Sequence, residues 1–456
     1  MSRGFYEPRA TTTNFYVNVD NDSGTENGLS HATGYKDLQT GLDGATYGQI
    51  LWVHQGATFA GTDIAAYTAG PGSNTRLDNS NLDHDSPGVF AGVTQGFAMI
   101  GYANGTTLET CYGKDRPLFR ADNGNGGSCT LPSASYCMNM RFTGKRYGAN
   151  NNTSPVLQVE SGYIENVEVF ADDDFRGTTG SYDRGVVVSM TNKAVAKNCE
   201  FIDNLSQSNF SSFTRDAGYE GPFNFNEATL ENCVIRIKGD AQWAAFNRTR
   251  VAHGDAVIYT NCVFIGNGNQ VGVNGLAGQD GGQSFTTNSM PMGHQHMLDR
   301  CVLYNMNTGY RFYAPSTCGN RDTEGEWTDF NGRGYLLRNC IIHTCQTGVL
   351  QSSYSDPGSW SSGTFSMKSV NVVDSCAFFN ITSDQTSGDM CLMNPITLSE
   401  DPFVDAANGD FRLNNKAGGG ALLKDRNHPA KESFDASKVR PFTQYQESPS
   451  ETTRSF

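Results

Sequence analysis

Three consecutive aspartates, Asp172, Asp173 and Asp174, stand just after a strand-like run, YIENVEVF from Tyr163. Neighbouring carboxylates can cleave a glycosidic bond, one protonating the leaving oxygen while the other activates water or attacks. Hard oxygen ligands of this kind also suit calcium. An Asp-rich turn is equally an ordinary way to leave a strand. A second group lies in TCGNRDTEGEWTDFNGRGY, from Thr317, which gathers Arg321, Asp322, Glu324, Glu326, Trp327 and Asp329. Trp beside carboxylates and Arg provides an apolar face for a sugar ring and polar partners for its hydroxyls. Trp243 and Trp360 lie in other inter-strand segments and would extend such a surface, although loop aromatics also serve simply to pin a loop. His294 and His296 flank Gln295, a spacing that chelates a metal only if both rings share a face and further ligands join them. No further ligand cluster is evident, so no metal is expected. No phosphate loop, nucleotide fingerprint or Ser-His-Asp order points to a cofactor or a nucleophile.

The elements that must carry these residues are read from a repeat. SYCMNMRFTG from Ser135, GYIENVEVFA from Gly162, AVAKNCEFID from Ala194, ATLENCVIRI from Ala228, VIYTNCVFIG from Val257, HMLDRCVLYN from His296, YLLRNCIIHT from Tyr335 and VNVVDSCAFF from Val370 share one pattern. It runs apolar, any, Asn, Cys, any, then aliphatic or aromatic. The Asn recurs as Asn139, Asn166, Asn198, Asn232, Asn261 and Asn339, and the Cys as Cys199, Cys233, Cys262, Cys301, Cys340 and Cys376. Repeats at such periods are stacked units, each burying its apolar face against its neighbours. β-branched and aromatic residues alternating with polar ones, followed by Asn or Gly, indicate short strands and left-handed corners. Stacking then sets Asn above Asn and Cys inside. Variable spacings belong to loops leaving one corner of each coil. Buried thiols in equivalent places act as small hydrophobes, so reduced cysteines are expected rather than a disulfide framework.

These segments resemble the right-handed parallel β-helix superfamily of pectin-lyase-like proteins over roughly residues 130 to 415, a resemblance specific to fold and not to chemistry. NFYVNVDNDSGTENGLS, from Asn14, is similar to the family's entry strand and turn. YKDLQTGLDGA, from Tyr35, resembles its capping helix, with Leu38 and Leu42 on one face. EDPFVDAANGDFRLNNKAGG, from Glu400, resembles its closing coil. The expected fold is therefore all-β, a right-handed parallel β-helix (solenoid) with a short N-terminal capping helix. Residues 1–13 form an arm, 14–60 the entry strand, cap and first coil, 61–424 the β-helix, and 425–456 an extended or disordered tail. Arg236-Ile237-Lys238 and VAHGDA, from Val251, resemble two polygalacturonase motifs. In that family the His-Gly element comes first, whereas Arg236 precedes His253, and strand alternation alone accounts for Arg236 and Lys238.

A formal charge of −14, with no basic stripe, disfavours nucleic acid as a partner. No apolar stretch approaches a membrane span, and MSRGFYEPRATTT lacks a signal-peptide core. The resemblance extends to phage tailspike, fibre and capsid-decoration proteins, which implies a structural virion protein. Such a protein is a homotrimer, assembled in the host cytoplasm with other virion proteins, and can contact a host surface polysaccharide. One alternative is a polysaccharide lyase or glycoside hydrolase using the acids at 172–174 or 322–326. Another is a non-catalytic bacterial surface or adhesion protein, extracellular or at the cell surface.

Overall fold

A computed structural model describes residues 14–38, 40–41, 50–68, 98–103, 111, 113–121, 129–131, 135–144, 155–171, 187–203, 223–225, 228–237, 247–251, 257–268, 276–280, 294–312, 334–351, 371–388 and 390–424. Within them the chain winds as a parallel β-helix. A first sheet of 12 parallel strands begins with Asn14–Val17, Ile50–His54, Ala98–Tyr102, Tyr136–Met138 and Tyr163–Glu165, and ends with Cys391–Met393. Each strand pairs with its counterpart one coil away, so Tyr163 lies beside Tyr136 on one side and Val195 on the other. All but two of the remaining strands stand in two further columns, Arg141–Gly144 and Glu168–Ala171 in one, Leu157–Glu160 and Val188–Thr191 in the other. The 11-residue strands Val302–Phe312 and Ile341–Gln351 run through both columns and join them into one 18-stranded sheet. Parallel crossovers of this kind wind right-handed.

Register puts one side chain from each coil of the first sheet into the interior. Leu51, Met99, Cys137, Ile164, Ala196, Leu230, Tyr259, Leu298, Leu337 and Val373 form one buried row. Each such large aliphatic or aromatic side chain contributes roughly 1.5–3 kcal/mol by leaving water. Seven of the eight segments aligned in sequence stack in that alignment, and the eighth stacks one residue later, Tyr335 pairing with Asn371. Between the first strand and the second, each coil turns through one left-handed residue: Asn139, Asn166, Asn198, Asn232, Asn261, Arg300, Asn339 and Ser375 all have φ between 52° and 57°. Asn is favoured there because its short amide tolerates the conformation. The amide ladder is real but broken. Asn166 Nδ2 donates to Asn139 Oδ1 at 2.7 Å, Asn232 to Asn198 at 3.3 Å and Asn261 to Asn232 at 2.7 Å, while Asn198 turns to Glu165 at 3.4 Å. Arg300 and Ser375 interrupt the series where the repeat lacks Asn.

The next residue points inward in every coil. Met140 and Val167 precede Cys199, Cys233, Cys262, Cys301, Cys340 and Cys376 in this position, and all are buried. The eleven described cysteines are free, Cys318 lying outside the described residues. Burial pushes the thiols of Cys233, Cys301 and Cys376 well up, which keeps them protonated and unreactive.

Two expectations change. The long segments between strands leave two corners rather than one: residues 172–186 and 204–222 link the second column to the third, whereas 313–333 and 352–370 link the third to the first. Of the capping segment, Leu38, Thr40 and Gly41 have helical backbone and Leu38 is buried, while Leu42 lies outside the described residues, as do the 1–13 arm and the 425–456 tail. The segment from Glu400 does not add a coil. It forms an antiparallel pair, Phe403–Asp405 with Asp410–Leu413, that folds back along the outside of the second column. Phe403, Phe411, Leu413 and Leu423 join a buried cluster with Val234, Val263, Val302, Ile341 and Ala377, outward residues that would otherwise be an apolar stripe in water. The fold-back wins because it covers that stripe.

His343 anchors the fold-back. Its ring lies among Tyr304, Phe379 and Phe403, its Nε2 is 3.1 Å from Asp401 Oδ1, and the Thr344 hydroxyl meets Nδ1 at 2.8 Å. Burial would raise the Asp401 carboxyl, but hydrogen bonds from His343 and from the Phe403 N–H outweigh it and hold the group below its usual range. A depressed carboxyl stabilises the fold at pH above its unfolded value of about 3.9 and loses that contribution as pH falls through the lower folded value. Hydrogen exchange of residues 396–424, taken relative to the intrinsic rate at each pH, should therefore quicken as pH drops below about 4. Asp401→Asn should quicken it already at neutral pH and flatten the pH profile.

Candidate functional site

The acids and tryptophans singled out in sequence are not brought together by the described structure. Asp172, Asp173, Asp174, Trp243, Arg321, Asp322, Glu324, Glu326, Trp327, Asp329 and Trp360 all lie outside the described residues. Asp172 follows directly on the strand Glu168–Ala171. His294 and His296 fall in the strand His294–Asp299, whose pairing with Gly334–Arg338 has an irregularity between them. Among the described residues no group of three or more His, Cys, Asp or Glu could hold a metal ion.

What the fold does assemble is an aromatic surface on the outer face of the first sheet, over its first coils. Alternation turns Tyr16, Trp52, Tyr136 and Tyr163 outward while their neighbours Val17, Val53, Cys137 and Ile164 go to the core. Tyr136 and Tyr163 are direct register partners, and their rings stack with centroids 5.2 Å apart and planes 4° from parallel. Both are half-buried. Ala98 precedes the pair in its row and Val195 follows it. The Tyr163 hydroxyl donates to Glu165 Oε2 at 2.9 Å, and the Tyr136 hydroxyl lies 3.4 Å from Met138 Sδ. Burial, then the negative charge of Glu165, push both phenols up, so each stays protonated and able to donate near neutral pH.

One coil towards the N-terminus, Tyr102 is the centre of a second aromatic group. Tyr16 and Trp52 meet it edge-on at 6.4 and 6.3 Å between centroids, and His31 and His54 lie at 5.8 and 5.1 Å. The exposed His31 contacts the Tyr102 hydroxyl through Nδ1 at 2.7 Å. Asn18 touches both imidazoles: its Nδ2 lies 3.3 Å from His31 Nε2 and donates to the His31 carbonyl at 3.0 Å, and its Oδ1 lies 3.0 Å from His54 Nδ1. Asp20 Oδ2 is 3.6 Å from that same Nδ1 and accepts the Ala57 N–H at 2.6 Å. Gly101 lets the coil of Tyr102 pack closely on the next. A Cβ there would lie 2.0 Å from the Asn139 carbonyl oxygen, so only glycine lets the adjacent coil pass.

The other strongly polar assembly belongs to the second column. Arg116 and Arg141 meet Glu168 Oε2 at 2.8 and 2.9 Å, Arg141 also pairs with Asp63, and Arg236 pairs with Glu200 at 3.0 Å. The guanidinium of Arg141 also lies over the Phe170 ring at 5.3 Å. Both Arg116 and Arg141 are 2% exposed and fully engaged, which makes this a structural network rather than an open site.

Sequence reading missed the aromatic face because it looked for sugar-binding rings in loops. The signal was available: Tyr136 and Tyr163 share one column of the repeat, and NFYV and ILWV put an aromatic residue in matching places.

The described residues thus define a parallel β-helix with a half-exposed aromatic face along its first coils. No protein-family model matches the chain, and no curated protein matches it in sequence. Among solved structures it is similar to the crystal structure of pectate lyase Pel9A, at 11% identity and a TM-score of 0.39, over 90% of this chain and 91% of that one.

Proposed function

We propose that the protein is a β-helical virion component of the phage tailspike, fibre or capsid-decoration type. In this reading it is a homotrimer and holds a host surface glycan against the outer face of its first sheet. The observation that carries the glycan contact is the stacked Tyr136–Tyr163 pair with its hydroxyl fixed on Glu165: aromatic carbon for the ring of a sugar, with a donor and an acceptor at its edge. The free, buried cysteines support assembly in a reducing cytoplasm.

The test is binding of host surface polysaccharide by the intact protein, measured by calorimetry, with its mass taken from light scattering. Each aromatic ring is worth about 0.5–1.5 kcal/mol beyond buried area. The double variant Tyr136→Ala, Tyr163→Ala should therefore bind on the order of ten- to a hundredfold more weakly. A trimer found in purified particles by mass spectrometry supports the virion reading; a monomer absent from particles sinks it. Release of unsaturated or newly reducing sugars would replace the binding reading with the lyase or hydrolase one, for which the acids at 172–174 and 322–326 are the residues to mutate first.

A further inference from the structure

We infer that the aromatic face takes an uncharged glycan, and that Glu165 is the residue that turns away sugars bearing carboxylates. The inference rests on the glycan reading above. Beside the tyrosine row runs a second outward row, in register order Met138, Glu165, Lys197, Glu231, Thr260, Asp299, Arg338 and Asp374. Its charges largely answer one another. Lys197 reaches Glu231 at 3.9 Å, and Arg338 and Arg300 both meet Asp299, at 3.0 and 3.2 Å. The group nearest the stacked rings is the carboxylate of Glu165, beside the Tyr163 hydroxyl. Among the described residues, the closest cation in the row, Lys197, is drawn towards the far side by Glu231. Arg116 and Arg141 belong to the second column and are held by Glu168 and Asp63.

A uronate lying over Tyr136 and Tyr163 would therefore bring its charge to Glu165, whose neighbouring cation in the row, Lys197, is already paired with Glu231. The surrounding field of a chain with net charge −14 has the same sign. A neutral sugar meets the opposite situation. A carboxylate has about four lone-pair sites. Glu165 uses one on the Tyr163 hydroxyl and a longer one, 3.4 Å, on the Asn198 amide, which leaves acceptors for sugar hydroxyls. The Tyr136 hydroxyl supplies a donor, the single Tyr163 proton being held on Glu165.

The experiment compares polymers that differ only in charge: polygalacturonate and alginate, each beside its carboxyl-reduced form, in affinity electrophoresis with the full-length protein. At least one reduced polymer should bind about tenfold more tightly than its parent at low salt, and the gap should narrow as salt rises. Glu165→Gln keeps the size and an acceptor for Tyr163, and should bring the carboxylated polymer up towards the reduced one. Parents bound as tightly as their reduced forms, with both lost in the Tyr136→Ala, Tyr163→Ala variant, would overturn the charge selection alone, as would a gap that Glu165→Gln leaves unchanged. Retention that is absent, or unchanged in that double variant, overturns the glycan reading itself.

Discussion

Glu168→Ala should destabilise the protein by about 3–5 kcal/mol, the cost of leaving a buried charge without its partner. Glu168 Oε2 receives Arg116 Nη2 and Arg141 Nε together. Arg116 keeps only carbonyl and amide oxygens, those of Gly113 and Asn166, and Arg141 keeps the Thr62 carbonyl and an Asp63 that is itself half exposed. Neither guanidinium can reach water without breaking the coil, because each is 2% exposed. Further along the same outward row stand Val234, Val263, Val302, Ile341 and Ala377, which shows that the position accepts apolar residues where a cover exists. Replacing Arg141 and Glu168 together by methionine should therefore recover part of the loss. Urea unfolding of the single and double variants measures both effects. A loss below about 1 kcal/mol for Glu168→Ala would mean that the network is solvated after all.

Asn232→Val is the second large effect. The residue holds φ at 54°, where a β-branched side chain is strained by roughly 1–2 kcal/mol. It also loses the amide bonds to Asn198 and from Asn261, and an orphaned half-buried partner costs about 1–3 kcal/mol more. The sum is about 2–4 kcal/mol, the two contributions not being fully additive. Asn232→Gly separates them. Glycine adopts the left-handed corner without strain and loses only the side-chain bonds, so it should be the milder change by about 1–2 kcal/mol. Thermal unfolding of the pair reads the difference directly. Equal losses would show that the ladder, not the corner, carries the preference for Asn.

Asn232 also shows why so much of the fold was legible. A left-handed corner is a local demand, met by a short list of residues. Repeated at every coil, it writes Asn139, Asn166, Asn198, Asn232, Asn261 and Asn339 into the chain at visible intervals. The inward thiols after them are legible for the same reason, since one interior position of one size recurs. Where the demand was met by another residue, as at Arg300 and Ser375, the pattern faded although the backbone did not. The fold-back from Glu400 was misread because its apolar residues answer a stripe contributed by five different coils. Nothing within the segment itself distinguishes covering that stripe from adding one more coil.

Taken alone, the sequence determined the parallel β-helix, the stacking of its Asn and Cys positions and the buried, unbridged state of the six repeat cysteines, because each follows from residue type at a repeated position. Only the tertiary structure decided which side chains meet outside the core. Tyr136 reaches Tyr163 across 27 residues, Tyr102 gathers Tyr16, Trp52 and two histidines, and Arg116 and Arg141 share one carboxylate. These contacts depend on the face each strand turns outward and on the stacking of one coil upon the next. Stacking brings residues far apart in the chain to within one strand spacing, about 4.8 Å, and that closeness is a property of the wound chain rather than of any segment of it.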